Sequence, residues 1–229
     1  MLIGIWGIPT TIVPGAAAAR GSGAGGISSG AMRVYHREKA GRPVRIVWTL
    51  EEIGAPYELV TMSREEGSGD EHLARHPLGR VPVLEDGEGT VFESAAICLH
   101  LADQHPEAQL APAPGTHDRA LVYQWSVFAP AELEPPLFAA WVQAQRDPER
   151  AKGARERFMN AVGAVDDALG DSHYLVGGNF TVADILVGTA VAFTGAAGFG
   201  DQLSGTLQAY IARLAERDAF KRANAKLYG

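Results

Sequence analysis

A single cysteine, Cys98, in a chain of 229 residues leaves no partner for an internal disulfide and no cysteine cluster for a metal. The histidines do not fill that gap: His72, His76, His100, His105, His117 and His173 show no metal-ligand spacing and read as structural or surface residues. Positive charge is also short. Lys and Arg number 20 against 27 Asp and Glu, a net charge of −7, which argues against general nucleic-acid binding because a phosphate backbone needs a basic face. The apolar opening stretch, Met1 to Pro14, is broken by Pro9 and Pro14 and is too short to cross a bilayer, so no membrane partner is expected. A secretion signal would need a positively charged start, which is missing, although Ala16-Ala17-Ala18 could mimic a cleavage site. Gly15 to Ala31 is an Ala/Gly/Ser run of linker type. Residues 1–31 are therefore expected to be a disordered tail, or to precede a translation start at Met32, and the protein is expected in the cytoplasm. What is plentiful is apolar surface: 46% hydrophobic residues, enough for a real core in one large domain or two modest ones.

The most informative stretch runs from His76 to Ser94, HPLGRVPVLEDGEGTVFES. Val81-Pro82-Val83-Leu84 has strand character, yet Pro82 cannot donate to a ladder and must sit at an edge, a bulge or a strand's first position. Val81 is then left with backbone groups that find no partner inside the sheet, and an extended peptide can pair with them as an added strand. Asp86-Gly87-Glu88-Gly89 is a turn signal and Thr90-Val91-Phe92 a short return strand. Glu93-Ser94 precedes the helical run Ala95-Ala96-Ile97-Cys98-Leu99. Ser94 suits the N-cap position, and a helix N-terminus offers free N–H groups and partial positive charge to an anion. A backbone edge beside a carboxylate pocket describes a site for a small acidic peptide. Cys98, inside the apolar helical run, reads as a buried small hydrophobe.

These residues resemble the glutathione transferase superfamily. The proline strand Gly79-Arg80-Val81-Pro82-Val83-Leu84, with Glu93-Ser94 opening a helix, carries one half of the resemblance, and Phe180-Thr181-Val182-Ala183-Asp184-Ile185 carries the other. The match extends from about Met32 to the end of the sequence. It implies that Val81, before a cis Pro82, hydrogen-bonds the cysteinyl backbone of glutathione, and that Glu93 and Ser94 hold the γ-glutamyl end. Glu93 suits the ammonium, Ser94 the carboxylate. Arg80 either pairs with a glutathione carboxylate or stands exposed beside the turn. The resemblance further implies glutathione as co-substrate, a small hydrophobic electrophile and a homodimer.

From Met32 the chain alternates. Met32-Arg33-Val34-Tyr35 is a strand, Pro43 opens a helix, Val44, Val47 and Trp48 give it an apolar face, and Gly54 with Pro56 ends it. Tyr57 to Thr61 alternates like a strand, so the first two strands should be parallel. Arg64 to Asp70 reads as a polar loop, with Asp70 able to cap a short helix ending before His76. After the hairpin comes a helix from Ser94 to Gln104. Residues 32–105 form a thioredoxin-like α/β domain by this topology, residues 106–115 a linker, and residues 116–229 an all-α helical-bundle domain. In the second domain Thr116 to Ala129 reads as a helix, and Pro130, Pro135 and Pro136 interrupt it before Leu137 to Gln145 resumes. Asp147-Pro148 starts a helix carrying Phe158, Val162, Val165 and Leu169, and Thr181 with Asp184 forms a capping box of structural importance. Leu207, Tyr210, Ile211 and Leu214 mark the last clear helix. Trp125, Phe128, Trp141 and Phe199 either line an apolar electrophile pocket at the domain boundary or belong to the core.

The first strand–helix loop departs from the family. Related enzymes place a Tyr, Ser or Cys there to meet the glutathione sulfur. Matching on Arg45-Ile46 puts Ala40 or Gly41 at the Ser or Cys position, and His36 rather than Tyr35 at the tyrosine-type position. Without a hydroxyl, the sulfur would rest at the helix N-terminus near Arg42, where backbone N–H groups of Gly41 and Arg42 and the Arg42 guanidinium lower a thiol pKa. Each unit of lowering needs about 1.4 kcal/mol of preferential thiolate stabilisation. Arg42 is thus the candidate catalytic residue, unless Arg37, Lys39 and Arg42 are simply a solvated basic loop. The expected activity is that of a glutathione transferase attacking a hydrophobic electrophile. The alternatives are a non-catalytic glutathione- or ligand-binding member and a glutathione-dependent disulfide reductase or isomerase.

Overall fold

The computed structural model describes residues 32–144 and 146–229, so the expectations for residues 1–31 lie outside the described residues. Strand β1 (Met32–His36) leads into helix α1 (Pro43–Ile53) and strand β2 (Tyr57–Thr61), and the two strands pair in parallel from Met32↔Tyr57 to His36↔Thr61. Pro43 sits in the first turn of α1, where its missing N–H costs nothing, and Gly54 stops the helix at φ 76°, a left-handed conformation that favours glycine. The segment expected to be a loop contains a short helix, α2 (Arg64–Gly67), because Ser63 and Glu66 satisfy each other's orphan N–H groups in a capping box. Helix α3 (Asp70–Arg75) follows; Gly69 takes its cap position and Asp70 its first turn. Strands β3 (Val83–Glu85) and β4 (Thr90–Phe92) form a hairpin whose turn is tied by Asp86 Oδ1, accepting from Glu88 and Gly89 N–H. Helix α4 (Ser94–Gln104) completes a thioredoxin-like α/β domain with sheet order β2-β1-β3-β4, β3 antiparallel to both neighbours.

The rest is helical: α5 (His117–Phe128), α6 (Glu134–Gln143), α7 (Pro148–Leu169), α8 (Val182–Ala192), α9 (Gly205–Ala215) and α10 (Asp218–Tyr228). The prolines after α5 do not interrupt the helix. Ala129–Leu133 forms a π-helical turn in which Glu134 N–H reaches back five residues to Ala129, and Pro135 falls in the first turn of α6. The wider turn accommodates residues that lack an N–H, and π turns of this kind gather at functional sites. Helix α9 is not the last; α10 follows it, with Ala219, Phe220 and Ala223 buried at helical spacing.

Helix α1 is buried from Pro43 to Leu50 because the sheet's helices and the helical domain both pack on it. Trp48, fully buried, meets Phe220 of α10 at 4.9 Å and Phe180 at 5.7 Å between ring centroids. Around this seam Glu51 accepts from Arg222 Nε at 2.7 Å, Lys226 Nζ at 2.5 Å and the Tyr57 hydroxyl at 2.6 Å. Burial alone would raise the Glu51 carboxyl, but Lys226, Tyr57 and Arg222 hold it down to about 2. A carboxyl depressed in the folded state stabilises above its unfolded pKa and loses that contribution as pH falls, here between about 4.5 and about 2. Solvent around the half-exposed Lys226 and Arg222 screens the pairing, so the contribution to stability is well below the full shift. In chemical denaturation at stepped pH, Lys226→Ala is expected to lower stability at neutral pH and flatten the acid limb over that window. An unaltered slope would show that Glu51 is not the group responsible.

Candidate functional site

A cleft of about 520 Å³ opens where the two domains meet. One wall is the loop from Arg37 to the start of α1, with Val81 beside it; the other is apolar, built by Leu137, Phe138 and Trp141 of α6 and Phe193 after α8. Basic side chains line it at Arg37, Lys39, Arg42, Arg45 and Arg64, against carboxylates at Glu38 and Glu134. In a chain of net charge −7 this is a local concentration of positive charge, an arrangement that favours anions over cations. A larger, more polar hollow of about 760 Å³ lies beside residues 106–114, but charges that line it pair among themselves, Arg119 with Asp103 and Arg217 with Glu52.

Val81 is the site residue whose sequence signal translates most directly into geometry. Its peptide to Pro82 is cis, β3 begins only at Val83, and neither the Val81 N–H nor its C=O has a partner among the described residues. Pro82 is buried behind it. Arg80 is exposed, and its contribution here is its carbonyl, which accepts from His72 Nε2 at 2.8 Å. Arg37 Nη2 donates to the Gly79 carbonyl at 2.7 Å, bracing this turn from the first loop. A side chain at Gly67 would collide with that guanidinium, so the brace depends on a glycine there.

Ser94 is not the N-cap of α4. Glu93 occupies that position at φ 73° and ψ 117°, offers no capping side chain, and accepts from Ile97 N–H at 2.9 Å. A non-glycine residue with positive φ is strained, and such strain concentrates at functional sites. The N–H groups of Ser94, Ala95 and Ala96 keep the free orientation of a first helical turn. Ser94 is buried and its Oγ accepts from Arg45 Nη1 at 3.2 Å, which fixes the hydroxyl relative to the cleft. Glu93 is exposed beside it.

Arg42 lies at the mouth of the cleft, in helical conformation just before α1. Its Nε donates to Glu134 Oε2 at 2.8 Å, its Nη2 bonds the same oxygen, and its guanidinium lies 5.8 Å from the Phe138 ring centroid. Glu134 Oε1 bonds Arg45 Nη1, and Arg45 Nε donates to Thr189 Oγ1 at 2.6 Å. Glu134 and Arg45 are 2% and 4% exposed, so this is a buried bridge joining α1, α4, α6 and α8. Burial opposes ionisation of Glu134, but Arg45 and then Arg42 hold its carboxyl below the usual range. Nothing in the local sequence marks Glu134; the π turn carries it to the domain boundary.

Of the four aromatic candidates only Trp141 lines the cleft, while Trp125 and Phe199 belong to the core, the other reading given for them. Trp125 and Phe128 pack on each other and Phe199 packs on Phe158. The cleft aromatics are Phe138, Trp141 and Phe193, with Phe193 in edge contact with both others at 5.5 and 5.2 Å. His36 turns its ring to Thr61 and does not line the cleft. Cys98 is fully buried, and burial pushes its thiol up to about 11, as its place in the apolar run suggested. Among the described residues no group of three His, Cys, Asp or Glu side chains could hold a metal, and no helix is long and apolar enough to cross a membrane.

Comparison with known proteins agrees with this fold. Residues 30–103 match the model of the glutathione S-transferase N-terminal domain and residues 139–213 that of the C-terminal domain. Glutathione S-transferase 4 of Zea mays is 34% identical over 151 residues, covering 62% of this chain and 67% of the relative. Glutathione S-transferase GstA of Escherichia coli O157:H7 is 30% identical over 176 residues, covering 74% and 86%. A sphingomonad glutathione S-transferase solved in complex with glutathione superposes with a TM-score of 0.76 at 29% identity, covering 85% of this chain and 98% of that one. The chain belongs to the glutathione S-transferase family.

Proposed function

We propose that the protein is a glutathione transferase that lays the tripeptide along Val81 and ionises its thiol beside the loop before α1. The observation that carries this is the unpaired backbone of Val81 on the wall of a basic cleft. The cysteinyl backbone pairs with Val81 as an added strand, and the γ-glutamyl carboxylate reaches Ser94 and the first-turn amides of α4. Glu93 takes the ammonium, and Arg80, exposed on the same turn, is available to the glycyl carboxylate. The sulfur then faces Gly41 and Arg42, and the apolar wall of Phe138, Trp141 and Phe193 receives a small hydrophobic electrophile. The thiol loses its proton to solvent; the thiolate forms a carbon–sulfur bond as the electrophile's leaving group departs or its double bond takes up the electron pair. Two of the three guanidinium nitrogens of Arg42 are held by Glu134, which orients the third without removing the net positive charge from the loop. The homodimer common to the family is part of the same proposal and is checked by sedimentation.

Retention on immobilised glutathione followed by conjugation assays tests this proposal. Wild-type protein is expected to bind and turn over. Arg42→Ala is expected to raise the bound thiol's pKa and lower turnover about tenfold, equivalent to about one pKa unit. Unchanged values remove Arg42 from the mechanism. Ala40 and Gly41, which carry no hydroxyl, favour a second reading, a non-catalytic glutathione binder. Retention with no turnover across several electrophile classes would establish it, and turnover only of mixed disulfides would point to reductase chemistry.

A further inference from the structure

The cleft loop is tied down from outside the cleft. Tyr228, in the last turn of α10, donates its hydroxyl to the Ala40 carbonyl at 2.9 Å, although it does not itself line the cleft. At the other end of the same loop Arg37 donates to Gly79, and Ala40 N–H closes a turn onto the Arg37 carbonyl at 3.2 Å. Between these ties Lys39 holds φ 60°, a conformation that a side chain adopts only where surrounding contacts dictate it.

The orientation of one peptide follows. The Ala40–Gly41 bond is trans, and a trans planar peptide points its C=O and the next N–H in opposite directions. The Ala40 carbonyl is taken up by Tyr228, which does not line the cleft, so the Gly41 N–H, on the opposite side of the same peptide, faces away from α10. That N–H has no acceptor among the described residues, Gly41 lines the cleft, and a Cβ built there would meet nothing within 4 Å. Ala40 and Gly41 are the two candidates for the position at which the family resemblance leads one to look for a Ser or Cys side chain.

We infer that Tyr228 is a positioning residue: through the Ala40 carbonyl it aims the Gly41 N–H at the glutathione sulfur, and that backbone donor replaces the absent hydroxyl. The inference rests on the proposed glutathione site and names a group that stabilises the thiolate there. Burial pushes the Tyr228 phenol up to about 12, so it remains a donor throughout the range in which a thiol titrates. The charged groups that share the cleft with the sulfur are Arg37, Glu38, Lys39, Arg42, Arg45, Arg64 and Glu134, and none of them changes in the test.

The test measures the pKa of bound glutathione from thiolate ultraviolet absorbance, with the pH profile of kcat/KM, in wild type, Tyr228→Phe and Lys226→Ala. Tyr228→Phe keeps the ring and deletes one donor. It is expected to raise the bound thiol's pKa by about half to one unit and lower kcat/KM about three- to tenfold below that pKa, with the difference closing above it. Affinity for S-methylglutathione, which has no thiol proton, is expected to change by less than about twofold. Lys226→Ala loosens the same helix from Glu51 without touching the loop, and is expected to leave the thiol pKa where it was. Identical thiol pKa values in wild type and Tyr228→Phe, or an equal rise in Lys226→Ala, overturn the inference while the glutathione site stands. Failure of wild-type protein to bind glutathione overturns both.

Discussion

Glu134→Ala is expected to destabilise the protein by about 3–5 kcal/mol, the usual result of removing one partner from a buried ion pair. The carboxylate answers two guanidinium groups at once, from Arg42 and Arg45, and Arg45 lies almost wholly out of water. Without Glu134, Arg45 keeps only Thr189 and Ser94, two hydroxyls that cannot balance its charge. For a chain of this size the loss corresponds to a fall in Tm of about 6–20 °C in scanning calorimetry. Conjugation activity at 25 °C is expected to drop by at least about tenfold, because both the Ser94 anchor and Arg42 lose their orientation. Arg42→Ala, whose side chain is 37% exposed, should cost far less stability, since it leaves the inner pair with Arg45 intact. A Tm within a degree or two of wild type for Glu134→Ala would show that the bridge does not hold the domains together.

The second large effect lies far from the cleft. Asp184→Ala is expected to cost about 3–4 kcal/mol, because each carboxylate oxygen is doubly engaged and each donor left behind is buried. Oδ1 accepts from Leu175 N–H and the Tyr210 hydroxyl, both at 3.0 Å; Oδ2 accepts from Thr181 N–H at 2.9 Å and Thr181 Oγ1 at 3.2 Å. Asp184 therefore does more than close the capping box at the start of α8: it ties that helix to the preceding loop and to α9. Burial pushes its carboxyl up to about 6 against the pull of these donors, so at pH 7.5 it is ionised and accepts all four bonds. Asp184→Asn should rescue little, since an amide offers one oxygen and turns an N–H toward the remaining donors. Glutathione affinity measured well below the lowered Tm should remain near the wild-type value, because Asp184 does not line the cleft. An Asn variant as stable as wild type would mean that only one oxygen matters.

What could be read without coordinates shares one property: it was encoded within a few residues. Pro43 and Gly54 bound α1, Asp86-Gly87 makes the hairpin, and Thr181 with Asp184 caps α8, each through contacts spanning three or four positions. Where such local signals competed, the expectation failed. Arg64 to Asp70 is polar enough for a loop, but the Ser63–Glu66 box gives it a helical turn. Pro130, Pro135 and Pro136 each argue for a break, yet a single π turn carries the helix through them. Ser94 has the chemistry of a cap, but the backbone turns at Glu93, one residue earlier. Helix α10 had a signal in Ala219, Phe220 and Ala223, and the clearer pattern of α9 hid it.

The sequence by itself determined the order of the four strands, the division into an α/β and an all-α part, the Val81-Pro82 edge, the helix start at Glu93-Ser94 and the absence of a hydroxyl in the first loop. Hydrophobic period, proline and glycine act through neighbours along the chain, and those neighbours are visible in one dimension. Only the tertiary structure decided that Glu134 meets Arg42 and Arg45, that Phe138 and Phe193 join Trp141 in the cleft, and that Tyr228 reaches Ala40. Apart from Phe138 and Trp141, neighbours on one helix, these contacts join residues tens to nearly two hundred positions apart. No local preference selects them: they follow from α10 packing against α1 and from α6, held on α7, presenting Glu134 to the arginines of the first domain.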